Sequence, residues 1–232
     1  MRDVVDRATR DARALQAGGC DAIIVENMGD VPYVRGPNPP EAVAAATVAT
    51  AAVTRAVDLP VGVQLLAGAN RQALGIAIAA GCAFIRVEAF AYAHVADEGL
   101  LQASAAELTR TRAALGVDVA IYADVAKKHA AHALTADLSL ADLCHGHVFC
   151  GADALIITGR HTGQPPEVAD LEVARAAGVP VVVGSGTTPA NAAALAAVAD
   201  AVIVGSALKV DGDWRREVEL DRVRALAAAL PR

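Results

Sequence analysis

The sequence predicts an α/β barrel of the (β/α)8 kind, on three observations. Helical and strand-like segments alternate along the whole chain about every 25 to 35 residues, as stacked βα units do. Hydrophobic residues make up 55% of the chain but aromatics only 3%. The interior is therefore packed by alanine, valine and other small or β-branched side chains, which suits helices laid on a parallel sheet. Two glycine-rich turns, Gly184-Ser185-Gly186 and Gly205-Ser206, close consecutive strands late in the chain, where a barrel of this kind holds phosphate. No GxGxxG follows the first strand, as an open dinucleotide-binding sheet requires. At 232 residues the chain reads as one domain, 1–232, with no linker, composition shift or low-complexity tract dividing it.

Within residues 3–17, Val4, Val5, Ala8, Ala12 and Leu15 recur at helical spacing, and Gly18-Gly19 ends that helix. Residues 21–27 form an apolar strand that finishes in Glu26 and Asn27. Pro39 and Pro40 start a helix over 41–57, Asp58-Leu59-Pro60 leads into a strand over 61–66, and 70–80 is helical as far as Gly81. Residues 84–90, FIRVEAF, read as a strand whose two-residue period puts Arg86 and Glu88 on one face. A long loop through His94 and Asp97 precedes a helix from 103 to 115. The strand over 117–125 carries Asp124 near its end, with Lys127, Lys128 and His129 behind it; Lys127-Lys128 reads as the exposed start of a loop. Ser139 caps a helix over 139–149, 154–158 is a strand followed by Gly159-Arg160-His161-Thr162-Gly163, and 166–177 is a helix. The strand over 181–183 ends in the first glycine turn, Thr187-Thr188-Pro189 starts a helix aimed at it, 201–204 is a strand ending in the second turn, and 221–230 is the closing helix. The count is seven strands and eight helices, and the chain opens on a helix where an eight-fold barrel opens on a strand. The first strand is missing.

The formal charge of −6 and the lack of a Lys/Arg cluster argue against nucleic acid as a partner. Every hydrophobic stretch is interrupted by Asp, Arg or Gly, so no transmembrane segment or signal peptide is read, and a reduced, cytoplasmic protein is expected. Cys20 and Cys82 sit in matching contexts before strands and read as small buried hydrophobes. The run Cys144-His145-Gly146-His147-Val148-Phe149-Cys150 matches no zinc spacing and falls on a helix where its four Cys and His side chains do not all face one way. No metal and no cofactor are assigned.

A barrel uses the residues at its strand ends. The catalytic candidates are Glu26, Asn27, Arg86, Asp124, Lys128, His129 and His161, with Glu88 and Thr158 beside them. Glu26 and Asp124 are the acid/base candidates, because a carboxylate near a cation at a barrel mouth can be tuned for proton transfer; the competing reading is an ion pair that fills the barrel's polar upper layer. Gly184, Ser185, Gly186, Gly205 and Ser206 are the phosphate-binding candidates, since small residues let backbone N–H groups converge on an anion. Lys209 is either a phosphate partner or a solvated lysine just past a strand.

The segments GGCDAIIVENMGDVPY, LPVGVQLL, FIRVEAF, ADV followed by KKHA, and VVVGSGTTPANAAALAAVADAVIVGSALKVDG together resemble the BtpA/SgcQ family, over essentially the whole chain. The resemblance implies a TIM barrel of the ribulose-phosphate-binding type and self-association into a homo-oligomer. Its branches imply two functions, one linked to stabilising photosystem I and one placed with sugar-utilisation genes. Family members usually open with a strand of the form IGxxHLxPLPG that brings a histidine to the site, and nothing like it precedes Met1-Arg2-Asp3. They also tend to carry a histidine shortly after the aspartate of strand five, where this chain has Ala126. The expectation is that the true start lies upstream of Met1, and that without that strand its two neighbours keep open edges beside the phosphate site. Two functions are expected in competition: an isomerase, lyase or hydrolase acting on a phosphorylated sugar or nucleotide-like metabolite, or a non-catalytic assembly factor of the photosystem I biogenesis type.

Overall fold

The computed structural model describes residues 1–127, 129–159 and 164–231. The chain runs α1 (Arg2–Gly18), β1 (Ile23–Glu26), α2 (Pro40–Ala56), β2 (Val61–Gln64), α3 (Asn70–Ala80) and β3 (Phe84–Val87). Two short strands, β4 (His94–Ala96) and β5 (Gly99–Leu101), come before α4 (Ala105–Leu115), β6 (Ala120–Asp124) and the two-residue β7 (Ala130–Ala131). The chain continues through α5 (Leu140–Phe149), β8 (Ala154–Ile157), α6 (Val168–Arg175), β9 (Val181–Val183), α7 (Ala192–Ala196), β10 (Ala201–Val202) and α8 (Leu220–Ala229).

Seven strands form one parallel sheet in the order β1-β2-β3-β6-β8-β9-β10, which is chain order, as successive βα units dictate. The fold is thus a TIM barrel lacking one strand. β1 and β10 are edges that do not pair with each other. Helices pack on the outer face around Val63, Leu74, Ile85, Leu108, Ile121, Leu155 and Leu171, all essentially solvent-free. The inner face has its own apolar floor of Ala154, Ile156 and Val182 with Tyr122 and Ile203 against it. Phe84 stacks on Tyr122 with centroids 4.7 Å apart, and Gly62 is what makes room: a methyl there would lie 2.2 Å from the Phe84 ring.

On the side of the missing strand, α1 packs against α8, where Gly18 lies so close to Val223 that a Cβ would be 2.3 Å from its side chain. Asp11 of α1 accepts from Lys209 Nζ at 2.5 Å and from the Val218 amide at 2.9 Å. Lys209 is therefore tied by an ion pair to the helix next to the gap.

Two features differ from the sequence expectation. The loop through His94 is an antiparallel three-stranded sheet, β5-β4-β7, that joins the segments after β3 and β6 into a flap. The helix after the first glycine turn begins only at Ala192, after a turn in which the Thr188 carbonyl accepts from the Asn191 and Ala192 amides at 3.2 and 2.9 Å, while Asn191 Oδ1 takes the Thr188 amide at 2.7 Å and its Nδ2 donates to the Gly186 carbonyl at 2.9 Å. α7 is left with five residues, Ala192–Ala196. Ser139, by contrast, caps α5 as read, through a reciprocal pair with Asp142. Among the described residues no helix is long and apolar enough to cross a membrane.

Candidate functional site

Strand periodicity builds the mouth of the barrel. Parallel register sets Glu26 beside Gln64 at the ends of β1 and β2, and Arg86 beside Tyr122. Arg86 and Glu88 follow one another on the inner side of β3, and Asp124 is the next inward position on β6. The apolar floor of Phe84, Tyr122, Ile156 and Val182 thus gives way to a polar upper layer.

Arg86 is the hub of that layer. Its Nε and Nη2 donate to the two oxygens of Asp124 at 2.9 and 3.0 Å, and its Nη1 donates to Glu26 Oε1 at 3.3 Å. Burial works against the guanidinium charge, but Asp124, Glu26 and Glu88 outweigh it and raise the pKa. Three strands are thereby clamped by one planar cation, the bidentate geometry Arg makes with carboxylate. Asp124 is 4% exposed.

A second cluster lies above the first, under the flap. Lys127 Nζ lies 3.3 Å from Glu88 Oε1 and 3.4 Å from Glu98 Oε2. Its side chain is largely buried, contrary to the solvated reading of the Lys-Lys pair. Glu88 is 4% exposed, its backbone carbonyl accepts from Asn70 Nδ2 at 2.6 Å, and its Oε2 has no hydrogen-bond partner. Burial drives its carboxyl up to about 7, while Lys127 and Arg86 pull the other way. His94 is buried near Lys127 and His132, with Nε2 unpartnered among the described residues; burial first, then His132 and Lys127, push its pKa down to about 4. The rings of His94 and His132 are 5.4 Å apart, and the His132 Nε2–H donates to the Lys127 carbonyl at 2.9 Å.

The glycine turns form the opposite wall. A Cβ at Gly184 would lie 2.5 Å from Ile156 Cγ2, 2.7 Å from Thr158 Cγ2 and 3.5 Å from Arg86 Nη2, so this glycine abuts the Arg86 hub. Gly186 has φ of +79° and lies under the backbone of residues 164–165, with a Cβ position 2.2 Å from Pro165 N. Ser185 is buried and its Oγ donates to the Gln164 carbonyl at 3.4 Å. The Thr187 hydroxyl is buried and has no partner. Gly205 and Ser206 are exposed, and nothing lies within 4 Å of a Cβ at Gly205. The first turn thus has packing reasons for its glycines; the second has open space.

Of the sequence candidates, Glu26, Arg86 and Asp124 come together. Asn27 does not join them: its Nδ2 donates to Asp30 Oδ2 and the Leu66 carbonyl, and its Oδ1 takes the Leu66 amide at 2.7 Å, a brace between the ends of β1 and β2. His129 is exposed, with φ of +58°, just before β7. Lys128 and His161 lie outside the described residues. Thr158 Oγ1 donates to the Ala126 carbonyl at 3.0 Å, tying β8 to the end of β6. Lys127, Glu98, His94 and His132 are the residues that strand-end reasoning misses, because the flap that assembles them is not visible in the sequence. Cys144 and His147 face the core, where His147 Nδ1–H donates to the Leu143 carbonyl. Among the described residues no three His, Cys, Asp or Glu side chains converge on a metal position.

With the geometry in hand, the chain can be set beside known proteins. A profile described as the BtpA family matches residues 1–232. The photosystem I biogenesis protein BtpA of Synechocystis is 39% identical over 231 residues, covering 98% of this chain and 79% of its own length. A mitochondrial protein of Caenorhabditis elegans, F13E9.13, is 36% identical over 230 residues, covering 96% of this chain and 83% of its own. Among solved structures, the phosphoribosyl anthranilate isomerase of Thermus thermophilus superposes with a TM-score of 0.59 at 15% identity, covering 95% of this chain and 92% of that one. At that identity the superposition speaks for the barrel alone.

Proposed function

The chain belongs to the BtpA family, and on that premise we propose that it is an enzyme binding a phosphorylated sugar or nucleotide-like metabolite. The phosphate lies against Gly184, Ser185, Gly186, Gly205 and Ser206, and the reacting part of the ligand faces Glu26, Arg86 and Asp124. One observation carries the reading: the Arg86 guanidinium that holds the two carboxylates also lies 3.5 Å from where a Cβ on Gly184 would be, so the charged cluster and the first glycine turn are neighbours. That phosphate-handling enzymes share the barrel at low identity is in keeping with it.

A melting-temperature screen of phosphate esters tests the proposal, since any ligand that binds only the native state raises that temperature. Ribose 5-phosphate, fructose 6-phosphate and nucleoside monophosphates are the first compounds to try. Gly205→Asp is the control, because it puts a negative charge into open space without a steric conflict. A shift in wild type that Gly205→Asp abolishes supports the reading. No shift with any ester would sink it and favour the second reading, a non-catalytic assembly factor, which the name of the Synechocystis relative motivates. On either reading we place the protein in the cytoplasm as a homo-oligomer that meets through alanine-rich outer helix faces, on which Val48, Val168 and Val173 are exposed; light scattering on a sizing column checks the assembly.

A further inference from the structure

Among the described residues, Glu88 is the carboxylate of the mouth that keeps a buried oxygen without a hydrogen-bond partner. Asp124 has both oxygens on Arg86, and Glu26 has one oxygen there and remains partly open to solvent. Glu88 Oε1 is held by Lys127, while Oε2 is buried and meets no donor among the described residues. An ionised oxygen without a donor in such a place costs free energy that a ligand hydroxyl would recover. The charged and titratable groups that act on it are Lys127 after β6, Asp124 on β6, Arg86 on β3 and Tyr33 in the segment after β1; Glu98 between β4 and β5, His94 on β4 and Glu26 on β1 bear on the same cluster through Lys127, Asp124 and Arg86. Lys127 is in turn fixed from two sides, by Glu88 and Glu98, and its carbonyl is held by His132.

We propose that Glu88 Oε2 meets a hydroxyl of the sugar-like part of the phosphorylated ligand and exchanges a proton with it, and that Lys127, braced by Glu98, is the residue that positions Glu88. The exchange balances within the pair. A proton leaving the ligand oxygen forms an Oε2–H bond, the electron pair stays on that oxygen, and the reverse step restores both. Burial keeps the Glu88 carboxyl near neutrality in its titration, so both of its forms are populated at working pH. The proposal rests on the phosphate reading above and deepens it by naming the group that reads the rest of the ligand.

The test separates the two ideas by using two probes, inorganic phosphate and ribose 5-phosphate, with titration calorimetry on wild type, Glu88→Gln and Gly205→Asp. Wild type should bind ribose 5-phosphate more tightly than inorganic phosphate. Glu88→Gln, an isosteric change that leaves Lys127 paired with Glu98, should lose about tenfold or more for ribose 5-phosphate and leave inorganic phosphate unchanged. Gly205→Asp should weaken both. Infrared difference titration then reads the carboxyl directly: a protonated carboxyl band that titrates near neutrality in wild type should vanish in Glu88→Gln and titrate at higher pH in Lys127→Met, a change that a merely structural lysine would not cause. If Gly205→Asp weakens both probes but Glu88→Gln binds ribose 5-phosphate as wild type does, or if no such band exists, the role of Glu88 is overturned and the phosphate reading stands. If neither probe binds wild type, the phosphate reading falls and the role of Glu88 falls with it.

Discussion

On the β1–β3–β6 side of the mouth the inward positions are Glu26, Gln64, Arg86, Glu88 and Asp124, whereas the β8–β10 side offers Thr158, Gly184 and Gly205. The first wall is held in shape by its own ion pairs and needs no ligand to be ordered. The second contributes little side chain and, at Gly205, open space. A site divided in this way has its polar chemistry fixed in advance on one side and its room on the other. The two walls should therefore respond to substitution in opposite ways.

The largest effect is expected at the hub. Arg86→Met leaves Asp124 buried beside no cation and Glu26 without its partner, and removing one member of a buried charge network costs roughly 3 to 5 kcal/mol. Urea unfolding of this variant measures it; a loss below about 1 kcal/mol would mean that the charged wall is not held by Arg86.

Glu88 and His94 should come next, through pH. The Glu88 carboxyl is raised from 4.5 to about 7, so its contribution to stability is complete below pH 4.5 and is lost as pH rises through 7. The His94 imidazole is lowered from 6.5 to about 4, so its contribution is complete above pH 6.5 and is lost as pH falls through 4. Between those limits the two slopes oppose each other. Glu88→Gln removes the first, on the order of 3 kcal/mol across the window, and leaves a protein that weakens toward acid. His94→Gln should leave the mirror image. Unfolding curves collected from pH 4 to pH 8 decide the matter, and identical profiles for the three proteins would contradict the buried state of both groups.

The glycine wall should split between its two turns. Gly186→Ala forces a side chain into a left-handed conformation against the backbone of residues 164–165, and about 1 to 3 kcal/mol should be lost. Gly205→Ala, the smallest effect, should stay within about 0.5 kcal/mol, because nothing surrounds that position. Equal losses at both turns would erase the distinction drawn between a packed turn and an open one.

Much of this was legible from residues alone, for a local reason. Strands such as Val181-Val182-Val183 and Ala154 to Ile157 are fully buried apolar runs bounded by turn residues, and the chain order of the strands follows from their alternation with helices. The pairing of Arg86 with Asp124 and Glu26 is likewise foreshadowed by strand-end position. The flap is not legible: β4, β5 and β7 are two or three residues long, too short for any alternation to show, and β4 pairs with β7 across the whole of α4 and β6. Lys127 is misread for the same reason, since a Lys-Lys pair looks solvated until the flap lays Glu98 over it. Thr187-Thr188-Pro189 opens a turn in which the Thr188 carbonyl takes the Asn191 and Ala192 amides, and α7 itself starts only at Ala192.

The central claim is that the two walls enclose one anion site at the glycine turns. Crystals soaked in tungstate, a phosphate-shaped anion with a strong anomalous signal, address it directly. The account predicts a peak within hydrogen-bonding distance of the backbone amides of Ser185, Gly186, Gly205 and Ser206, next to Arg86; the Gly184 amide is already given to the Ile157 carbonyl at 2.8 Å. A peak found instead in the surface cavity lined by Arg7, Arg10, Arg215 and Arg216, with none at the turns, would contradict it.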